Sequence, residues 1–208
     1  NRFLEIGSND GALIKNFEKR KVIGIEPCKN LAKITKKMNY CTFDNYWDFK
    51  LATKIKKKYK TVDVIYSANT ITHISNLDNV FRSICHILSN KGVVIIEDPS
   101  LLECLKKNSY DQFYNEHIYL FSAISVKNLL TKFDLEIFDI KNLKTHGGSL
   151  RYYIKRKKNK DIKINKSVKK QIHKEFKIGL GNFKTYKSFS NREIKSKQKI
   201  LKILTNIK

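Results

Sequence analysis

The chain has 208 residues, of which 41% are hydrophobic and 30% charged, which is enough for one sizeable domain with an appendage. No run of about 18 apolar residues occurs, so we expect no membrane span. The net charge is +24, and residues 151–208 hold 20 Lys and Arg against 3 Asp and Glu. Only six of the 43 basic residues are Arg, which reads bases and phosphates better than Lys, so nucleic acid is not the expected partner.

The four cysteines at 28, 41, 85 and 104 form no C-x-x-C pair, so neither a metal site nor a redox motif is predicted. Scattered thiols and the absence of a signal-peptide pattern are typical of a cytoplasmic protein. The chain opens at Asn1 almost directly on a strand. We therefore expect it to be a fragment of a longer protein.

The first segment reads FLEIGSNDG, an apolar strand followed by a tight loop between Gly7 and Gly11. A helix is predicted to begin at Ala12, which places bare backbone and a helix N-terminus beside a ligand. The next strand ends in Glu26, 19 residues after Gly7. An acidic residue at this spacing is typical of contacts with the ribose hydroxyls of a nucleotide.

Strands and helices then alternate along the chain. Strands are predicted at 3–6, 21–26, 41–43, 62–66, 93–97, 135–143 and 149–157, and helices at 12–19, 30–38, 49–59, from near Asn76 or Asp78 to 88, at 125–133, 165–178 and 191–207. A turn is predicted at 90–92, and Gly147-Gly148 joins the last two strands as an antiparallel hairpin. This order predicts a doubly wound α/β sheet that binds ligands at the carboxyl ends of its strands.

Two segments depart from the alternation. Residues 98–121 form a long aromatic-rich insertion, which is typical of a lid or binding segment. The Lys-rich tail is predicted to be helical, with exposed apolar residues that could dock another domain: Ile178, Leu180, Ile200, Leu201 and Leu204. We predict one domain over 1–157 and a helical extension over 158–208.

The opening loop favours S-adenosylmethionine over other nucleotides. The Gly-Lys-Ser/Thr ending of a P-loop is absent, and so is the third glycine of a dinucleotide fingerprint. The spacing E-x-G-x-x-x-G, from Glu5 to Gly11, and the final hairpin suit a methyltransferase. Ala68 and Asn69, after the fourth strand, could close on the amino-acid end of the cofactor. Tyr46 or Trp47 could line the adenine side, with core packing as the alternative.

Five motifs follow one another along the chain: FLEIGSNDG at 3–11, GIEP at 24–27, ANTITHI at 68–74, YNEH at 114–117 and HGGSLR at 146–151. Together they resemble a known family, the class I sugar C-methyltransferases that methylate carbon 3 of nucleotide-linked 4-keto-deoxysugars. The resemblance implies a Rossmann-like fold with a mostly parallel seven-stranded sheet, a C-terminal antiparallel hairpin and a basic helical tail. It also implies a zinc module before this chain and an α/β domain after it.

The resemblance implies a set of site residues. The cofactor would be held by Glu5, Gly7, Ser8, Asn9, Gly11, Glu26, Pro27, Asn45, Tyr46, Ala68 and Asn69. The family often has an acidic residue where Asn45 stands. His117 would be the general base, and Tyr114 and His73 would polarise the carbonyl or return a proton. Glu116 would hold substrate hydroxyls or a distant partner, and His146 would contact the substrate. No metal ligand is implied, and His86 and His173 are expected to be structural or exposed.

Methylation of a carbon next to a ketone requires a base, donors for the enolate oxygen and an aligned methyl donor. His117 and Tyr114 share one face of a helical turn, which suits the first two tasks. Two alternatives stay open. The basic tail would suit an O- or N-methyltransferase of small molecules or RNA, and a fragment could bind the cofactor without catalysis.

Overall fold

The computed structural model describes residues 2–207, so the outer ends of the two predicted domains, Asn1 and Lys208, lie outside the described residues. A seven-stranded sheet has the order β3-β2-β1-β4-β5-β7-β6, in which β5, β7 and β6 pair antiparallel and the other pairs are parallel. The strands are β1 Phe3–Ile6, β2 Val22–Ile25, β3 Cys41–Phe43, β4 Val62–Ala68, β5 Leu88–Pro99, β6 Leu135–Leu143 and β7 Ser149–Arg156. The predicted fold class is confirmed.

Seven α-helices accompany the sheet in the described part of the chain. They are α1 Lys29–Lys37, α2 Phe49–Tyr59, α3 Leu77–Ile87, α4 Leu101–Lys107, α5 Ala123–Thr131, α6 Lys166–Ile178 and α7 Phe183–Thr205. α2 packs beside α3, and α5 and α6 pack against β6. The apolar residues that these helices and the sheet bury between them, such as Ile65, Ile84 and Leu130, form the main core. Their burial is the main favourable term that fixes the ends of the strands in space.

The helix predicted at 12–19 is wrong. The chain forms only two short 3-10 turns there, Ile14–Asn16 and Lys19–Lys21. The Asn16 side-chain amide donates hydrogen bonds to the carbonyls of Ala12 and Leu13, and Phe17 stacks on Phe3 with ring centroids 4.4 Å apart. These contacts satisfy the local carbonyls and turn the chain out of helical geometry.

The turn predicted at 90–92 lies inside β5, which is longer than the predicted strand. Val62 of β4 pairs with Leu88, but Val64 pairs with Val93, so β5 carries extra residues at this point. Such a bulge absorbs the turn-forming sequence without ending the strand. The insertion at 98–121 contains α4 and a 3-10 turn at Tyr110–Gln112.

The tail packs partly onto the body of the protein. α6, which the predicted division places in the extension, buries Val168 and Glu175. Ile178 and Leu180 were expected to be exposed, but Leu180 is buried with Leu102 and Leu105, and Ile178 packs against this cluster. Gly179, with φ +80°, turns the chain from α6 onto α4. Within residues 2–207, no helix combines the length and the apolar character needed to cross a bilayer.

Candidate active site

The opening loop is fixed to the end of the neighbouring strand. The backbone amides of Gly7 and Ser8 both donate to the carbonyl of Ile25, at 2.8 and 3.0 Å. Glu26 is buried, and its two carboxylate oxygens accept from the amides of Asn9 at 2.8 Å and Cys28 at 2.9 Å. Each oxygen keeps one lone pair for a further donor, so Glu26 can still accept from ribose hydroxyls.

Gly7 has a backbone that other residues rarely adopt, with φ +77°. A Cβ at this position would lie 2.2 Å from Oγ1 of Thr70, which folds over the loop. Thr70 is held in turn by a 2.9 Å hydrogen bond from its hydroxyl to the carbonyl of Ala68. Gly11 also has a positive φ, at +84°. The loop therefore brings the ends of β1 and β4 into direct contact.

Three buried polar atoms at this edge of the sheet have no hydrogen-bond partner among residues 2–207: Glu5 Oε2, Ser8 Oγ and Asn69 Oδ1. Burial, with the Asp10 and Glu26 carboxylates nearby, raises the pKa of Glu5 to about 8. Asn69 has φ +53°, and its backbone amide donates to the backbone carbonyl of Glu97 at 2.7 Å. Buried groups without partners are rare, and a polar ligand would supply the missing hydrogen bonds.

The residues predicted to line the adenine side differ in their solvent exposure. Asn45 is exposed and Tyr46 is 81% exposed, whereas Trp47 is buried and donates from its indole nitrogen to the carbonyl of Val80. Trp47 is thus a core residue, and Tyr46 is free to contact a ligand. Pro27, directly after β2, is half-buried.

His73, Tyr114 and His117 come together where β4 and β5 end. The rings of His73 and His117 have centroids 5.0 Å apart, and the Tyr114 hydroxyl lies 2.8 Å from Nε2 of His117. The order of the strands makes the two loops neighbours, as the sequence predicts. Glu116 and His146 are exposed, and His146 has φ +49° in the hairpin turn.

Backbone carbonyls set the tautomers of both histidines. Nδ1 of His117 lies 3.0 Å from the carbonyl of Gln112, and Nδ1 of His73 lies 2.7 Å from the carbonyl of Glu116. A carbonyl only accepts, so each Nδ1 carries a hydrogen and each neutral ring keeps its lone pair on Nε2. The Tyr114 hydroxyl therefore donates to Nε2 of His117.

Sequence reasoning missed the residues that join these two loops. The Thr72 hydroxyl donates to the carbonyl of Tyr119, the Tyr119 amide donates back to the Thr72 carbonyl at 3.2 Å, and the Tyr119 hydroxyl donates to the Ser75 carbonyl at 2.7 Å. These bonds hold Glu116 and His117 against His73. Their partners are more than 40 residues apart, and the side chains follow no spacing that would identify them.

Asp98 was also missed. It is 1% exposed, and neither carboxylate oxygen forms a hydrogen bond of normal geometry with the residues at 2–207. Burial and the neighbouring Glu97 carboxylate raise the pKa of Asp98 well above its ordinary value, and the nearby Thr72 backbone amide opposes this. The carboxyl thus holds its proton more tightly than an exposed Asp does, next to the turn that carries His73. An Asp directly after an apolar strand gave the only sequence signal.

The edge of the sheet fits S-adenosylmethionine. Glu5, Ser8 and Asn69 have unpartnered polar atoms that would suit the methionine part, and Glu26 has acceptors that would suit the ribose. When bound, the cofactor supplies an electrophilic methyl group. A positive charge beside Glu5 would also stabilise its ionised form, which burial now opposes.

Comparisons with known proteins agree with this fit. A methyltransferase domain family matches residues 1–140, and a C-methyltransferase C-terminal domain family matches residues 144–208. The chain is 25% identical over 189 residues to the C-methyltransferase NovU of Streptomyces niveus, covering 90% of this chain and 45% of NovU. It thus spans less than half the length of this relative. The resemblance to C-methyltransferases is confirmed.

Solved structures share the fold. A SAM-dependent methyltransferase from Anabaena variabilis has a TM-score of 0.56 and 15% identity, over 74% of this chain and 76% of that one. An O-methyltransferase of a Brevibacillus brevis multienzyme, solved with S-adenosyl-L-homocysteine, has a TM-score of 0.56 and 13% identity, over 85% of this chain and 73% of that one. Because the first family matches well over half of the sequence, this chain belongs to the methyltransferase domain family, whose cofactor is S-adenosylmethionine.

Proposed function

We propose that this chain is the methyl-transferring part of a C-methyltransferase that acts next to the ketone of a nucleotide-linked deoxysugar. The observation that carries the proposal is the group of His73, Tyr114 and His117 beside the cofactor edge of the sheet. The five motifs that resemble sugar C-methyltransferases and the similarity to NovU support the same class. The sugar, the nucleotide and the activity of the whole protein are part of the proposal.

In this mechanism His117 is the general base. Its Nδ1 hydrogen is held by the Gln112 carbonyl, so Nε2 has the lone pair that removes the proton next to the ketone. The electrons of the broken C–H bond move to the carbonyl oxygen and form an enolate. The enolate carbon would then form the new C–C bond with the methyl group that the bound cofactor supplies, whose carbon–sulfur bond would break and leave a neutral thioether.

Tyr114 is the donor for the enolate oxygen. In the structure its hydroxyl is bonded to Nε2 of His117, so it must turn to the substrate oxygen when the substrate arrives. The Nδ1 hydrogen of His73 is already bonded to the Glu116 carbonyl. His73 can therefore polarise the carbonyl only as the imidazolium, and otherwise accepts or returns a proton. Glu116 and His146 are exposed and would contact hydroxyl groups of the sugar.

Isotope exchange tests the base assignment. With a 4-keto-deoxysugar nucleotide in D₂O, we expect deuterium at carbon 3, and we expect His117→Ala to abolish the exchange. His173→Ala, on the exposed face of α6, is the matched control and should exchange like the wild type. Exchange that survives in His117→Ala would show that another group removes the proton.

Calorimetry separates catalysis from cofactor binding alone. We expect the 208-residue chain to bind S-adenosylmethionine and the sugar nucleotide. If it binds only the cofactor, while the longer protein binds both, the substrate site requires further residues and the catalytic proposal fails for this chain alone.

A further inference from the structure

The helix α7 contacts the segment that carries Tyr114 and His117. We call residues 108–117 the catalytic segment. Arg192 of α7 donates from Nε to Oδ1 of Asn108 at 3.0 Å and from Nη2 to the carbonyl of Leu105 at 2.8 Å. Leu105 lies in the last turn of α4, where carbonyls lack helical partners. The guanidinium thus caps α4 and holds the first residue of the catalytic segment at once.

A second contact lies one turn earlier on α7. The guanidinium of Arg192 lies 5.6 Å from the ring centroid of Phe189, whose ring is 5.7 Å from that of Phe113. Phe113 directly precedes Tyr114. The cation–π contact and the aromatic pair each contribute on the order of 1 kcal/mol, so α7 restrains the catalytic segment from the side.

Short hydrogen-bonded steps connect Arg192 with His117. Asn108 leads into Ser109, whose carbonyl accepts from the Gln112 amide at 3.3 Å, and the Gln112 carbonyl accepts from Nδ1 of His117 at 3.0 Å. The Gln112 carbonyl sets the tautomer of the proposed base. The position of the Gln112 carbonyl depends on the path of the chain from the end of α4 through Asn108.

The choice of Arg at this position is informative. The chain has 37 Lys and 6 Arg, yet an Arg stands where two acceptors on different elements must be reached together. A planar guanidinium presents several donors in a fixed fork, which the single ammonium of Lys cannot reproduce. A Lys has its three donors on one nitrogen and lacks this fork, so we expect it to hold the two acceptors less well.

We propose that Arg192 is a positioning residue that keeps the catalytic segment in place, so that Nε2 of His117 is the nitrogen that carries the lone pair. The tail helix is thereby part of the active site and not only a connection to other domains. The inference rests on the proposed function for its catalytic part. Its structural part concerns the tautomer of His117 and holds for any substrate.

Arg192→Lys tests the structural part without a substrate. In nitrogen-15 spectra of the histidines, assigned with the His117→Asn variant, we expect wild-type His117 to be the Nδ1–H tautomer and the variant to be a mixture. Amide hydrogen exchange of residues 105–117 should become about fivefold faster, with no change in α5. Arg82→Lys makes the same change at an exposed position of α3 and should alter neither measurement.

Turnover tests the catalytic part. For Arg192→Lys we expect kcat for exchange at carbon 3 to fall about tenfold, with KM for the cofactor and the melting temperature near the wild-type values. If Arg192→Lys does not fold, Asn108→Gly replaces it. Asn108 has φ +59°, which glycine adopts readily, so this variant removes the acceptor without strain and should show the same tautomer mixture.

The outcomes separate the two proposals. If the wild type shows no exchange at carbon 3 but Arg192→Lys alters the His117 tautomer, the proposed function fails and the positioning role holds. Arg192 does not position the segment if both Arg192→Lys and Asn108→Gly keep the wild-type tautomer of His117 and have amide exchange rates and kcat within twofold of the wild-type values.

Discussion

At the scale of single residues, two features shape the edge of the sheet where we propose that the cofactor binds. They are the close approach of Gly7 and Thr70, which follow β1 and β4, and the buried carboxyl group of Glu5 in β1. The steric effect of the close approach at Gly7 can be separated from backbone strain, because Gly147 has nearly the same φ. The effect of the buried Glu5 on stability can be followed by changing the pH.

Gly7→Ala should cost more stability than Gly147→Ala. Both glycines have φ near +77°, so alanine introduces similar strain of about 1 kcal/mol at each. An added Cβ meets no described atom within 4 Å at Gly147 but lies 2.2 Å from Thr70 Oγ1 at Gly7. We expect Gly7→Ala to lose about 3 kcal/mol or more in urea unfolding. Equal losses would show that Thr70 moves aside at little cost.

Glu5→Gln should stabilise the cofactor-free protein at high pH. The pKa of Glu5 is raised from 4.5 to about 8 by burial, so the folded state binds this proton more tightly than the unfolded chain does. The free energy of unfolding therefore falls as pH rises from about 4.5 to about 8, and the whole penalty is present above that range. Relative to the wild type, Glu5→Gln should therefore have a free energy of unfolding that is more favourable at pH 8.5 than at pH 5. After a discount for solvent screening, we expect this difference to be about 2–4 kcal/mol.

Urea unfolding at both pH values measures this difference, with exposed Glu116→Gln as the control. Cofactor affinity gives a second measure, since a cation beside Glu5 favours its ionised form. The affinity of the wild type should rise between pH 6 and 8, and that of Glu5→Gln should not. Parallel pH profiles of the two proteins would contradict the buried-acid account.

At the scale of elements, local signals predicted most of the structure and tertiary contacts overrode the rest. Asn76 was one of two predicted caps for α3, and its side chain accepts from the Asn79 amide at 2.9 Å. The helix at 12–19 failed because Phe17 packs on Phe3, which no local pattern reveals. Leu180 is buried because Gly179 redirects the chain, which depends on where α4 lies.

The interaction of α6 with α5 gives a prediction at this scale. Glu175 is fully buried, and its carboxylate accepts from the amides of Ala123 at 2.8 Å and Ile124 at 3.0 Å at the start of α5. Glu175→Gln removes the charge and turns one acceptor into a donor that faces these amides. We expect a loss of about 2–3 kcal/mol in the free energy of unfolding.

Exposed Glu18→Gln is the matched control for this measurement and should change the free energy of unfolding by less than about 0.5 kcal/mol. Amide exchange should also become faster at Ala123 and Ile124 in Glu175→Gln. If these amides stay protected, Ser122, the N-cap of α5, is sufficient without the carboxylate.

At the scale of the whole molecule, the charge of +24 works against the compact state. Raising NaCl from 50 to 500 mM shortens the Debye length to about 4 Å and should raise the melting temperature by about 5 °C. A variant with glutamine at Lys50, Lys54 and Lys57, all exposed on α2, should show a smaller salt dependence. An unchanged melting temperature in salt would show that the lysines lie too far apart to repel one another.

The candidate site could be predicted in part. Glycine spacing, strand ends and motif resemblance predicted the opening loop as a cofactor site and selected His73, Tyr114 and His117, which the structure brings together. These signals could not identify Asp98, which has no motif, or Arg192, whose partners lie 84 and 87 residues away in the sequence. Supporting residues of this kind depend on three-dimensional packing, and so they become visible only with the fold.

The insertion after β5 closes on itself. Ser100 forms an isolated bridge with Phe121, and the Leu101 amide donates to the Phe121 carbonyl at 2.9 Å, so the segment between them leaves and re-enters the body at one point. The opening loop at 7–11 follows β1 and is bonded to β2, so it is far from this insertion in the sequence. Under the proposed function, an exchange of this single segment would change the acceptor site and leave the opening loop as it is. The new segment would still have to fit Arg192, Leu180 and Thr72, which hold the present one.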